Sequence, residues 1–231
     1  MIKSAIQSFV LQVFPASCKA CGVDLVKDEK ILCFACEIDL PKTGFEVLPT
    51  NNDLIRKFDG LVPIESATSL YHFQSKGHVQ HLIHGLKYGN QPQIGKHLGA
   101  YYAKKLLSSA FMKGIDAIIP IPLHYRKLLK RGYNQAEEVA DGIALMTGVP
   151  VYNKVVKRAA HQRSQTSIGR GDRFDRMASS YKLGKQFLDA KHVLLVDDVV
   201  TTGATIEAVA KLLIEKYDVK VSVVSLAVRI D

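Results

Sequence analysis

Residues 192–213 read HVLLVDDVVTTGATIEAVAKLL, and the fold turns on them. Val193, Leu194, Leu195 and Val196 make the short, continuously apolar run expected of a strand buried on both faces. From Ala204 onward, apolar residues recur at Ile206, Val209, Ala210 and Leu213, which is the spacing of one helix face. The residues between are the turn from a strand's carboxyl end into a helix N-terminus, where open α/β sheets bind their ligands.

The chemistry of that turn narrows the ligand. Thr201, Thr202 and Thr205 offer hydroxyls, and Gly203 lets the backbone come close. With Ala204 and the unpaired N–H groups of the helix start, they make a cradle for a phosphate. Asp197 and Asp198 would repel a phosphate, so they are expected to face sugar hydroxyls or a hydrated Mg²⁺, which takes one or two carboxylates together with phosphate oxygens. A ribose 5-phosphate carrying further phosphates meets all of these demands. An ordinary turn with Thr caps and a solvated acid pair would need Gly, three Thr and two acids to coincide by accident.

All four cysteines fall within the first 36 residues, as Cys18, Cys21, Cys33 and Cys36. Two Cys-x-x-Cys knuckles can each point two thiolates at one tetrahedral Zn²⁺. Gly22 suits the tight turn of the first knuckle. A four-cysteine shell leaves no open position, so the zinc is read as structural, substituting for a core that so small a unit cannot build. Disulfides need an oxidising compartment, and a redox Cys-x-x-Cys needs one pair in a βαβ setting. No secretory signal or βαβ setting is evident, so structural zinc is preferred over these two rival readings.

The chain carries 31 Lys or Arg against 22 acids, a formal charge of +9, which favours an anionic partner. Twelve of those cations and only five acids lie between residues 121 and 182. No run is long enough to span a membrane. Ile2, Ile6, Phe9, Val10, Val13 and Phe14 are spaced for a short amphipathic helix stopped by Pro15, and a cytoplasmic location is expected.

LLVDDVVTTGAT resembles the phosphoribosyl-diphosphate (PRPP) signature of type I phosphoribosyltransferases. The rest of the chain is similar to one branch of that superfamily, the competence-associated ComF family. The motifs that carry the likeness are CKAC and CFAC at 18–21 and 33–36, GLKY at 85–88, IPIPL at 119–123, RGYNQA at 131–136 and RSQT at 163–166. The resemblance implies an α/β, phosphoribosyltransferase-like fold: a mainly parallel sheet with helices on both faces and a small N-terminal zinc ribbon. Strands are expected near 117–121, 192–197 and 219–228. Residues 1–54 would hold the amphipathic helix, the ribbon and a turn-rich linker (41–54), and residues 55–231 the phosphoribosyltransferase-like domain.

The resemblance also implies Mg²⁺ and PRPP as ligands and a role in DNA uptake, with phosphoribosyl transfer and single-stranded DNA binding as accompanying activities. An ordinary base-salvage phosphoribosyltransferase is the alternative. The chain has no Walker-type phosphate loop, so an ATP-driven step would fall to a protein partner such as a helicase or recombination mediator. PRPP is expected on Asp197, Asp198 and residues 201–205. Arg126, Lys130 and Arg131 follow an abrupt strand end at Pro120 and Pro122, which corresponds to the pyrophosphate-binding loop of related transferases.

Residues 157–176, KRAAHQRSQTSIGRGDRFDR, correspond to the loop that closes over PRPP. Arg158, Arg163, Arg170 and Arg173 there suit either the diphosphate or DNA phosphates, and Gln165 matches the family pattern. Arg176 stands where relatives carry Asn. Lys87 sits in the last turn of a helix expected over 76–88. Its position fits either a favourable charge at a helix carboxyl end or a ligand contact. His78, His81 and His84, three residues apart on the same helix, read as a solvated polar face. No residue stands out as a catalytic base.

Overall fold

The computed structural model describes residues 16–159 and 180–230. The amphipathic helix expected over residues 2–14, and Arg163, Gln165, Arg170 and Arg173, lie outside them. The helices, in chain order, are α1 (Phe34–Asp39), α2 (Asp53–Arg56), α3 (His78–Tyr88), α4 (Pro92–Ser108), α5 (Tyr125–Arg131), α6 (Gln135–Thr147) and α7 (Ala204–Tyr217). The strands are β1 (Ser66–His72), β2 (Ala117–Pro120), β3 (Val156–Arg158), β4 (Tyr181–Leu183), β5 (His192–Val200) and β6 (Lys220–Val228).

Four strands form one parallel sheet in the order β1-β6-β5-β2, and β3 pairs antiparallel with β4 as a separate ribbon. The apolar run of β5 explains its central place. Leu194 and Val196 pack into the core under α3, α4 and α6, while Val193 and Leu195 pack into the core that includes α7. A strand whose successive side chains point to opposite faces needs apolar residues at every position when both faces are covered. Parallel pairing and two covered faces were therefore both legible from that run.

The backbones of α4 and α6 approach closely. A β-carbon on Gly99 would stand 2.3 Å from the Val139 carbonyl oxygen, and one on Gly142 would stand 2.2 Å from the Lys96 carbonyl oxygen. Small residues here let the two backbones touch. Position matters because α6 starts at the carboxyl ends of β2 and β5.

Several expectations shift. The strand expected near 192–197 continues to Val200, because Asp197, Val199 and Val200 stay in register with Ser225, Ala227 and Val228 of β6. Leu61, Val62, Ile64, Leu70, Tyr71 and Phe73 suggest extended structure over 61–73, but only Ser66–His72 is a strand. The basic cluster after β2 is itself a short helix, α5, with no buried residue. Residues 41–54, read as a linker, lie along β1: Thr43 N–H donates to the Leu70 carbonyl (3.1 Å), and Ala67 N–H donates to the Pro49 carbonyl (2.8 Å). His78, His81 and His84 are exposed as expected, but the His81 ring nitrogen Nδ1 is 2.9 Å from the Ala20 carbonyl of the first cysteine knuckle.

Adding one methyl group to Gly142 improves helix propensity by about 1 kcal/mol, but α4 and α6 must then part, an overpacking that costs roughly 1–3 kcal/mol. Gly142→Ala should therefore lower stability in a denaturant titration, with the midpoint moving down and the slope unchanged. Gly148→Ala, where nothing lies within 4 Å of the added carbon, tests left-handed backbone strain alone at φ +73°.

Candidate functional site

The site begins where β2 ends. Pro120 is the last residue of β2 and pairs with Val196, so beyond it β5 has no neighbour on that side. From β5 the chain crosses by α7 to β6 on one flank; from β2 it goes by α6 to Val151, which bridges Ile118 on the other flank. Connections leaving in opposite directions open a crevice at the strands' carboxyl ends. A cavity of about 210 Å³ occupies it. Its lining includes Lys87, Lys127, Arg131, Gln135, Arg158, Tyr181, Asp197, Asp198 and Thr205.

The acids are the centre of this cavity. Asp198 is buried and forms an ion pair with Lys87 at 3.1 Å, which assigns Lys87 to the site. Asp197 accepts a hydrogen bond from the Asp198 N–H at 2.8 Å. Removal from water, followed by the neighbouring Asp198 charge, pushes the Asp197 carboxyl up to about 7. Consecutive strand residues point to opposite faces. Asp198 accordingly meets Lys87 from α3, while the electrostatic neighbours of Tyr181 on β4 include Asp197.

The adjoining loop, residues 199–206, surrounds a small hollow. Thr201 and Thr202 are exposed there, and Gly203 adopts φ +82° as the N-cap of α7. A side chain at Gly203 would also meet the Phe58 ring at 2.9 Å, so the loop rests on an aromatic floor. Thr205 is engaged with the hydroxyl of Tyr181, whose ionisation burial pushes up.

The RGYNQ motif is explained residue by residue. Gly132 takes the left-handed conformation that ends α5. The Tyr133 hydroxyl donates to the Leu86 carbonyl at 2.6 Å, tying the motif to the end of α3 beside Lys87. Asn134 caps α6 by accepting from Ala136 N–H, and its Nδ2 donates to the Ile121 carbonyl at 3.0 Å, just past β2. Arg131 donates to Gln135 Oε1 at 2.6 Å and lies over the Tyr88 ring, 5.0 Å from its centroid.

The structure therefore brings together Asp197, Asp198, Thr205, Lys87, Arg131 and Arg158, with residues 201–204 on the adjoining loop. It sets Arg126 apart. That side chain is on the outer face of α5, bonded to the Tyr125 hydroxyl at 3.0 Å. Lys130 faces a neighbouring cleft with Tyr88, Leu129 and Tyr133. A helical turn of about 100° per residue separates the cluster's cations, sending Lys127 and Arg131, four apart, to the cavity. Sequence reading missed Tyr181 and Gln135 as site residues. Tyr181 arrives on a three-residue strand paired with Arg158, a contact no local pattern announces.

The four cysteine sulfurs lie within 4.8 Å of one another. A tetrahedral ion with bonds of about 2.3 Å needs sulfurs about 3.8 Å apart, and Cys21 Sγ and Cys33 Sγ are 3.7 Å apart. Burial opposes ionisation of Cys18, yet N–H donors from Cys21, Cys33 and Ala20 hold its thiol at about 6. Burial raises Cys36, and the other thiols add to the rise. The set fits a metal that takes thiolates. Among the described residues, no helix is long and apolar enough to cross a membrane.

Residues 84–231 match the family model of the phosphoribosyl transferase domain. Competence protein F of Haemophilus influenzae is 36% identical over 100 residues, 42% of this chain and 44% of that protein. The DNA utilization protein YhgH of Escherichia coli K12 is 26% identical over 136 residues, 58% of this chain and 60% of that protein, and the YhgH of Salmonella typhi matches to the same extent. The matched segments thus span less than two thirds of these relatives. With the parallel sheet, the Asp-Asp-Thr loop at its switch point and the cysteine cluster ahead of them, the chain belongs to the phosphoribosyl transferase family, in its ComF branch.

Proposed function

We propose that the protein binds PRPP with Mg²⁺ at the carboxyl end of β5 and serves in DNA uptake, a role supported by its similarity to Competence protein F and the DNA utilization protein YhgH. The observation that carries the ligand is the meeting of two acids with Lys87, Arg131 and Arg158 in one cavity beside the Thr-Thr-Gly loop. The loop's hydroxyls and N–H groups suit the 5-phosphate. Asp197 and Asp198 suit the ribose hydroxyls, and the cations on the β2 side suit the diphosphate. Mg²⁺, when bound, would neutralise charge on the diphosphate. If transfer occurs, the anomeric C–O bond breaks with its electron pair leaving on pyrophosphate, while an acceptor's lone pair forms the new bond. The fixed charges of this cavity would stabilise the charge that develops.

Calorimetric titration with Mg²⁺–PRPP tests the assignment. Asp198→Asn or Thr202→Val should each weaken binding by about 1.5–3 kcal/mol, the value of one charge-assisted hydrogen bond. Unchanged affinity in both would reject the site. Affinity should rise as pH increases through 7, since Asp197 is largely neutral below that pH and a carboxylate above it. Asp197→Asn should remove that part of the pH dependence.

We further propose that the cysteine cluster holds one structural Zn²⁺. Elemental analysis of purified protein should find close to one zinc per chain. Chelation should remove the metal and the protection of residues 16–40 from hydrogen exchange together. Disulfides among these cysteines under reducing conditions would refute the assignment.

The basic region points to weak single-stranded DNA binding. Replacing Arg158, Arg163, Arg170 and Arg173 by Ala should flatten the salt dependence of binding, each lost phosphate contact contributing a slope of roughly −0.7 in log K against log[salt]. Fluorescence anisotropy at several salt concentrations measures it. An identical slope in wild type and variant excludes these arginines as DNA contacts.

A further inference from the structure

Gln135 is 2% exposed, opens α6 and lines the cavity between β2 and β5. Its two polar atoms are in different situations. Oε1 receives Arg131 Nη1 at 2.6 Å. Arginine only donates, so the atom it contacts must be the carboxamide oxygen, and this fixes which corner is the NH₂ group. That group, Nε2, is buried without a hydrogen-bond partner among the described residues. A buried amide donor left unsatisfied costs about 1–3 kcal/mol, and side chains in that condition concentrate where something else completes them.

The surroundings say what would complete it. The cavity already supplies cations at Lys87, Lys127, Arg131 and Arg158, so its free donor faces a space suited to an anion. Asp197 and Asp198 stand on β5, across the crevice from the β2 side where Gln135 begins α6. The terminal torsion of a glutamine is soft, so a ligand oxygen can draw the NH₂ group toward it without disturbing the helix.

We infer that Gln135 is a ligand-contacting residue whose carboxamide N–H donates to an oxygen of the diphosphate, while its oxygen keeps Arg131 aimed at the same group. The inference rests on the phosphoribosyl reading of the site. It separates two jobs in one side chain. Gln135→Glu keeps an acceptor for Arg131 but has no donor, and Gln135→Met keeps the length and has neither.

Calorimetry on the full-length protein with Mg²⁺ uses two probes, inorganic pyrophosphate and ribose 5-phosphate. Both variants should bind pyrophosphate about tenfold or more weakly, as expected for one charge-assisted hydrogen bond. Their affinity for ribose 5-phosphate should stay within about twofold of wild type, because the 201–205 loop does not depend on Gln135. Wild-type affinity of Gln135→Glu for pyrophosphate would overturn the inference, leaving Gln135 a support for Arg131 alone. Parallel loss of both probes would overturn it as well, since the change would then be a general disturbance of the site. Ribose 5-phosphate binding without pyrophosphate binding in wild type overturns this inference and leaves the 5-phosphate part of the phosphoribosyl reading standing. Absence of ribose 5-phosphate binding in wild type defeats the phosphoribosyl reading and this inference with it. If Gln135→Met loses its cooperative thermal transition, Gln135→Glu decides the matter.

Discussion

The pairing of β5 between a long neighbour and a short one governs the rest of this structure. β6 stays in register with β5 as far as Val200, while β2 stops opposite Val196. The four residues after Val196 are therefore held rigidly on one edge and left open on the other. A loop could present the same Asp-Asp pair, but its backbone would wander. Here the acids inherit the precision of a buried parallel strand, and the Thr-Thr-Gly loop starts from a fixed point.

Such placement has an electrostatic cost. Two carboxylates adjacent in sequence and largely withdrawn from water repel each other, and the rise of Asp197 to about 7 expresses both effects. Lys87 offsets the charge on Asp198. Its placement depends on elements far apart in the chain, since Tyr133 of the RGYNQ motif bonds the carbonyl of the residue before Lys87, Leu86. The site is thus a set of charges that compensate one another only in this fold. A ligand bringing both hydroxyl groups and phosphates satisfies the acids and the cations together, which a simple anion or a simple cation cannot do.

What could be read from the sequence follows the range of the interactions. The Asp-Asp-Thr-Thr-Gly turn was legible because strand, turn and helix are consecutive and each has its own periodicity. The cysteine cluster was legible because ligand spacing is local to each knuckle. Arg126 and Lys130 could not be sorted from Lys127 and Arg131 by composition, since only the helical character of α5 divides them. Tyr181 and Gln135 were invisible for a different reason: a common residue type joins the cavity wall there through contacts with Arg158, Thr205 and Arg131 that the sheet topology creates. Likewise, the end of β5 was misplaced because acids and threonines read as turn residues, whereas pairing with β6 overrides their preference.

The cysteine unit is joined to the site through one helix. Its buried residues Cys18, Ala20, Ile31, Leu32, Cys33, Cys36 and Leu40 belong to the same apolar cluster as Val79, Leu82, Ile83 and Leu86 of α3. His81, in the first turn of that helix, bonds the carbonyl of Ala20 between the first two cysteines. One turn and a half further on, the same helix carries Lys87 to Asp198. A helix transmits a displacement along its length better than a loop does, because each hydrogen-bonded turn constrains the next. A metal held at the knuckle would thereby also restrain the helix that carries Lys87 to Asp198. The ribbon and the cavity are thus joined by contacts along α3, although the two clusters of side chains share no residue.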